Sequence, residues 1–437
     1  MTTLNKAQEA AVAAVTAGRN IFLTGAGGTG KSHTIKAIVS SAAAKGIPVA
    51  LTAMTGCAAL LLNTEGSATK AKTLHSWAGV GLGRDPPHVL VAAIQKNRKA
   101  LKRWTGTQLL IVDEVSMMIA EFLETLDLVA RTVRKRPDTK FGGLQIVFAG
   151  DFCQLPPVTS GSLKYVFESP IWASLLDETH YLTEIVRQRD PVFQRLLTEA
   201  RMGALTPESI AILQGRKGIK WQDQEIKPTL LFTKNAEVDK INRINMEALT
   251  GERRRFVAQT VQMDRGGPRL FTGTGAPDIQ AALAKLDTDA PYDPSLELCI
   301  GAQVMLLTNM DQERGLVNGS RGILTGYSGG GLPLVRFIGF TDPVIVDRAN
   351  WWLADPDHVG RSQIPLKIAY ALTIHKSQGA TLDSALIDIG SSTFEYGQAY
   401  VALSRVRSLE GLYVWALDPK RIVCHPVVRR FYESLTE

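Results

Sequence analysis

Apolar residues in the first half of the chain fall into short continuous runs, and each run stops at a polar or glycine-rich stretch. Asn20-Ile-Phe-Leu-Thr24, Val49-Ala-Leu-Thr-Ala53, Gln108-Leu-Leu-Ile-Val112 and Leu144-Gln-Ile-Val-Phe-Ala149 have the length and unbroken hydrophobicity of strands buried on both faces. Between them the spacing turns helical. His33 to Ala44 carries one apolar face, and residues 119, 122, 123, 126, 129 and 133 mark another between Ser116 and Phe141. Leu4-Asn5-Lys6-Ala7-Gln8 leads into an amphipathic helix that ends near Gly18. This alternation predicts a doubly wound α/β sheet, which places ligands at the carboxyl ends of its strands.

A second alternation begins at Thr229-Leu-Leu-Phe-Thr233, continues through a helix from Ala236 to about Leu249, and resumes at Leu366-Lys-Ile-Ala-Tyr-Ala-Leu372. Strands at Ser384 to Ile389 and Leu412 to Ala416 complete a second α/β lobe with an insertion. Within the insertion, Ala258 to Pro294 is rich in Gly, Pro and Asp and shows one short helix. From Val304 to Val346 short strands are divided by Asn318-Gly319, Gly329-Gly330-Gly331 and Asp342-Pro343, the pattern of a small β barrel. Trp351 and Trp352 read as barrel core rather than as stacking platforms for bases.

A length of 437 residues suggests roughly three folding units. Val49 to Leu62, the longest apolar stretch, is too short and too interrupted to span a bilayer, and no membrane partner is expected. No signal or transit pattern opens the sequence, so a cytoplasmic, bacterial or viral type of intracellular protein is expected, with a nuclear or organellar location left open. Cys57, Cys153, Cys299 and Cys424 are far apart and lack metal-ligand spacing, which predicts neither a zinc site nor a disulfide framework. The formal charge of +7 favours a polyanionic partner only slightly.

The first strand runs into Gly25-Ala26-Gly27-Gly28-Thr29-Gly30-Lys31-Ser32, followed by His33 in a helix. That is the phosphate-loop pattern in the context it requires. Its glycines let backbone N–H groups turn towards phosphates, Lys31 suits the β- and γ-phosphates, and the Ser32 hydroxyl suits Mg²⁺. Asp113-Glu114 closes a strand expected beside this loop; the first acid can organise Mg²⁺ and the second can deprotonate an attacking water.

Gly150-Asp151-Phe152-Cys153-Gln154-Leu155-Pro156-Pro157 ends the next strand and resembles the third motif of superfamily-one helicases, specifically of the petite-integration-frequency family, a relative of the RecD helicases. The resemblance extends over nearly the whole chain. It implies that Gln154 contacts the γ-phosphate, that Gln8 reads adenine, and that Thr55 and Gly56 in Thr55-Gly56-Cys57-Ala58-Ala59 contact DNA backbone. The family prefers Pro or Ser at the place of Met54. Thr73-Leu74-His75-Ser76-Trp77-Ala78-Gly79 is similar to a further DNA-facing motif through His75, and Phe141-Gly142-Gly143-Leu144-Gln145 resembles the family signature. Arg187 and Arg405 match two arginine fingers, carried by the second lobe. Thr373-Ile374-His375-Lys376-Ser377-Gln378-Gly379 is similar to the motif that grips DNA and relays the nucleotide state, through Thr373, His375, Lys376 and Gly379.

What the resemblance implies is an ATP- and Mg²⁺-dependent DNA helicase, monomeric and moving 5′ to 3′ on single-stranded DNA. Its fold would be two RecA-like lobes with small insertions, one of them an SH3-like β barrel entered at Gly315 to Gly322. Residues 1–180 are assigned to the first lobe, with a short wedge insertion, 1B, near 60–75; residues 181–257 and 364–437 to the second; and residues 258–363 to the insertion called 2B. Single-stranded DNA and duplex junctions are the implied partners, while G-quadruplexes, RNA–DNA hybrids and an RNA substrate stay open. A translocase that does not separate strands shares every ATPase motif, whereas a nucleotide switch without turnover conflicts with Lys31, Glu114 and the arginine pair.

Overall fold

The computed structural model describes the chain except residues 1–3, 64–68, 82, 158–162, 222–223, 265, 272–276, 312, 354–355, 357 and 436–437. It divides into two units, Met1–Arg187 with Cys424–Glu437, and Gln188–Val423. In the first, β1 (Ile21–Gly25), β2 (Val49–Ala53), β3 (Lys72–Thr73), β4 (Leu109–Asp113), β5 (Gln145–Gly150) and β6 (Glu178–Leu182) form one sheet. Its order is β3-β2-β4-β5-β1-β6, with every pairing parallel. β1 and β4 are buried at all positions because helices cover both faces, which is why both read as unbroken apolar runs.

Side chains alternate across β1. Ile21 and Leu23 point into a core with Ile35 and Ile38 of the helix Lys31–Ala44 and with Ala11 and Val15 of the helix Lys6–Thr16. Phe22 points the other way, to Phe152 and Trp172, at ring-centroid distances of 5.3 and 5.2 Å. The same aromatic layer receives the helix Pro426–Glu433, whose Phe431 stacks on Phe167 at 4.2 Å and whose Tyr432 is buried. This burial draws Cys424–Glu437 into the first unit, where the sequence reading had assigned residues 364–437 to the second lobe. The expected boundary at residue 180 likewise moves to Arg187, because β6 completes the first sheet beside β1.

In the second unit, Ala371–Thr373, Thr229–Phe232, Ala385–Ile389 and Leu412–Leu417 form a parallel sheet in that order. Val344–Ile345, Pro333–Phe337, Arg321–Tyr327, Gln303–Leu306 and Leu366–Ile368 form a five-stranded antiparallel sheet over Leu298, Val304, Leu324, Val335 and Phe337. A further antiparallel sheet joins Gly267–Leu270, Gln259–Asp264, Val359–Gln363 and Ala349–Trp352. Trp351 is buried there against Tyr292 and Trp352 is half-buried, in a sheet separate from the five-stranded one, so neither is core of the barrel as expected. The run Leu366–Leu372, read as one strand, is two strands in two sheets. The Ala369 carbonyl between them accepts from Thr229 Oγ1 and Gln303 Nε2, both at 3.0 Å, which turns the chain from one sheet to the other.

Arg321 joins the antiparallel sheet to the parallel one. Its guanidinium is fully buried and donates to both carboxylate oxygens of Asp383 (2.7 and 2.6 Å), to Ser384 Oγ (2.6 Å), to Thr229 Oγ1 (3.2 Å) and to the Lys227 carbonyl. Gly319 packs so closely that a Cβ there would lie 2.3 Å from the Thr381 carbonyl oxygen, which excludes any other residue.

Candidate active site

The parallel register aligns the ends of four strands. Thr24 of β1 pairs with Gly150 of β5, and Ala53 of β2 with Asp113 of β4, so the phosphate loop, the Asp113-Glu114 pair and the Asp151–Gln154 turn leave the sheet at one edge. Asp113 was expected on a strand beside the phosphate loop, but β5 lies between β4 and β1.

In the phosphate loop, Gly25, Gly28 and Gly30 take φ values of 148°, 90° and 88°. Gly30 adjoins Gln8, where a Cβ would lie 2.5 Å from Nε2. Gln8 is buried, caps the Lys6–Thr16 helix through Asn5 and donates to the Thr29 carbonyl at 3.2 Å. Lys31 Nζ donates to the carbonyls of Gly25 (2.8 Å) and Ala26 (3.0 Å), which holds the ammonium over the loop. Ser32 is exposed in the first helical turn, with His33 half-buried after it.

Asp113 is buried, and its Oδ1 accepts from the Glu114 N–H at 2.9 Å. Burial, with the Glu114 carboxylate adding to it, pushes the Asp113 carboxyl up to about 7, against the opposing pull of that N–H and of the Lys31 ammonium. Glu114 sits in the left-handed region at φ 55° and ψ 41°, a strained conformation for a residue with a Cβ. Positive-φ glycines in the loop and two hard oxygen donors, Ser32 and Asp113, suit a triphosphate with a metal that keeps most of its own waters, as Mg²⁺ does. Among the described residues no group of three or more His, Cys, Asp or Glu offers a denser ligand set.

Beyond β5, Gln154 is buried and its N–H donates to the Asp151 carbonyl at 3.0 Å. The Asp151 carboxylate accepts from the Tyr432 hydroxyl at 3.2 Å. That hydroxyl also accepts from the Phe152 N–H (3.0 Å) and lies 2.8 Å from Thr24 Oγ1, so one side chain near residue 430 ties the β1 end to the Gln154 turn. Nothing in the sequence around Tyr432 signals this. Arg187 belongs to the first unit, not to the second lobe as expected, because Val186 and Arg187 donate their N–H groups to the Gly28 carbonyl at 2.9 and 3.2 Å.

In the second unit Arg405 is buried, donating to the Val401 carbonyl (3.0 Å) and to Ser404 Oγ (2.8 Å). Buried Gln188 holds this turn from both sides, through the carbonyls of Ser404 (3.2 Å) and Val406 (2.8 Å), a role its place beside Arg187 did not suggest. Thr373 Oγ1 accepts from the Lys376 N–H at 3.2 Å, opening a short turn on which His375, Lys376 and Gly379 are exposed.

The remaining candidates for DNA contact lie in the first unit. Thr55 caps the helix Gly56–Leu62 through the Ala58 N–H at 3.2 Å, with Gly56 in its first turn. The His75 ring stacks on Phe122 at 4.5 Å, whereas Trp77 is core, packed on Trp104 at 4.6 Å. The wedge insertion expected near 60–75 falls in part on residues 64–68, outside the described residues. The signature stretch is structural: Phe141 N–H donates to Asp127 Oδ1 at 2.6 Å, and Arg134 Nε to the Gly142 carbonyl at 2.9 Å.

The profile of the PIF1-like helicases matches residues 3–200, and that of the DNA helicase Pif1 2B domain matches residues 283–327. A crystal structure of Pif1 helicase from Candida albicans aligns with a TM-score of 0.76 and 33% identity over 100% of both chains. This chain belongs to the PIF1-like helicase family. The Pif1 of Bacteroides sp, solved in complex with ADP-AlF4, aligns with a TM-score of 0.80 and 27% identity over 100% of this chain and 98% of that one. Human ATP-dependent DNA helicase PIF1 is 39% identical over 99% of this chain, which spans 64% of the human protein's length. Arg405 and the Thr373–Gly379 motif lie beyond both PIF1-family profile matches but inside these full-chain alignments.

Proposed function

We propose that this chain is an ATP-dependent DNA helicase that moves 5′ to 3′ along single-stranded DNA and opens duplex DNA at junctions. The observation that carries the reading is the common edge at which the phosphate loop, Asp113-Glu114 and Gln154 leave neighbouring parallel strands, in a chain 39% identical to a protein named a DNA helicase. ATP with Mg²⁺ supplies the phosphoryl group to be transferred to water. The loop amides and Lys31 hold phosphate oxygens, Gln8 holds the base, and Ser32 and Asp113 hold the metal. Glu114 orients the attacking water and takes its proton, Gln154 senses the γ-phosphate, and Arg187 and Arg405 offset charge in the transition state. Thr55, Gly56, His75, Thr373, His375 and Lys376 hold the strand, and Gly379 lets its motif approach the nucleotide. The domain assignment follows the two units, with 2B as an insertion in the second.

Strand separation with ATP and Mg²⁺ on partial duplexes bearing a 5′ or a 3′ tail tests this reading. Unwinding of the 5′-tailed substrate alone is expected. Unwinding from the 3′ tail alone overturns the polarity, and DNA-stimulated ATP hydrolysis without strand separation leaves a translocase instead.

A further inference from the structure

The four cysteines are scattered along the sequence, yet the first unit brings two of them together: Cys424 Sγ lies 3.9 Å from Cys153 Sγ across 271 residues of chain. Cys153 is buried beside Gln154, with its N–H donating to Asp151 Oδ1 at 3.2 Å. Cys424 is half-buried and opens the segment that returns to the first unit. Both are thiols. Their two segments are pinned to each other on the far side by the Tyr432 hydroxyl, which accepts from the Phe152 N–H, and by Phe431, whose ring lies 5.5 Å from that of Phe152. Closing to a bond length of about 2 Å takes side-chain rotation and a small backbone adjustment. Intracellular disulfides are commonly transient and redox-sensing.

We propose that Cys153 and Cys424 form a reversible disulfide with hydrogen peroxide as oxidant, and that the closed bond fixes the Gln154 turn and suppresses ATP turnover. The suppression, unlike the bond, rests on the proposed function. Cys424, the more accessible thiol, attacks as thiolate on one peroxide oxygen; the O–O bond breaks, an S–O bond forms, and the departing hydroxide is protonated to water. The Cys153 thiolate then attacks the Cys424 sulfur, the S–O bond breaks, and a second water leaves. Two thiols lose two electrons, and peroxide is reduced to two waters. A dithiol reverses the bond by exchange.

The test treats the full chain with hydrogen peroxide or dithiothreitol and follows two readouts. Mass spectrometry of an unreduced digest is expected to find the Cys153 and Cys424 peptides joined, lighter by two hydrogens than their sum. ATPase with single-stranded DNA is expected to fall roughly tenfold or more on oxidation, as displacement of a γ-phosphate contact would cause, and to return with dithiothreitol. Cys424→Ser, or Cys424→Ala should the serine variant fold poorly, is expected to keep its activity through peroxide treatment. Absence of the joined peptide overturns the modification site. Equal loss in wild type and Cys424→Ser assigns the inhibition to another thiol and overturns the control of turnover. A reduced wild type without DNA-stimulated ATPase refutes the proposed function, while the joined peptide still decides the modification.

Discussion

Asp383→Asn is expected to destabilise the second unit more than Arg321→Met, although both break the same ion pair. The Arg321 side chain has no exposure, whereas that of Asp383 is one-third exposed. Removing the guanidinium leaves a carboxylate that water can reach, which discounts the penalty to about 2 kcal/mol. Removing the negative charge leaves a buried guanidinium with only neutral acceptors, and that costs about 3–5 kcal/mol. For a unit of this size the midpoint of thermal unfolding falls by about 5 °C in the first case and about 10 °C in the second. Two units need not unfold together, so the assay pairs calorimetry with hydrogen exchange of the amides in Arg321–Tyr327 and Ala385–Ile389, where the loss concentrates. An Arg321→Met variant less stable than Asp383→Asn would refute the argument from unequal access to water.

Four further outcomes are expected. Glu114→Gln keeps ATP binding while hydrolysis collapses; Glu114→Gly exceeds Glu114→Ala in stability by about 1 kcal/mol because φ 55° strains any residue with a Cβ, read as a higher melting temperature. Gln188→Leu leaves the Ser404 and Val406 carbonyls without its amide, so turnover drops while DNA affinity, measured by fluorescence anisotropy, is kept. Asp113 holds its proton more tightly folded than unfolded; the stability it contributes is complete below about pH 4 and is lost as pH rises through about 7. Asp113→Asn is therefore expected to gain in melting temperature over wild type at pH 8 without Mg²⁺, with the gain vanishing near pH 4.

Local signals carried most of the first sheet. Gly25–Ser32 between a strand and a helix, and Asp113-Glu114 closing an apolar run, were legible because their residue types and spacing are themselves the chemistry. Edge strands were not: β6, Glu178-Thr-His-Tyr-Leu182, is fully buried only at Leu182, so it shows no apolar run. The split of Leu366–Leu372 escaped because apolar continuity says nothing of which sheet receives each half. Gln188, Tyr432 and the Cys153–Cys424 contact act across distances in sequence that no local pattern spans; Tyr432 and Thr24 are 408 residues apart.

That separation bears on how the protein is made. Synthesis runs at about 5–20 residues per second, and domains ordinarily fold as they emerge. Here the sheet carrying the phosphate loop is complete in chain order by Leu182, but its aromatic layer stays open until Phe431 and Tyr432 arrive. For the whole time the ribosome makes the second unit, Phe22, Phe152 and Phe167 lack part of their cover, a nascent surface suited to chaperone capture. A chain cut short before residue 424 keeps every nucleotide-site residue named above and still leaves that surface bare.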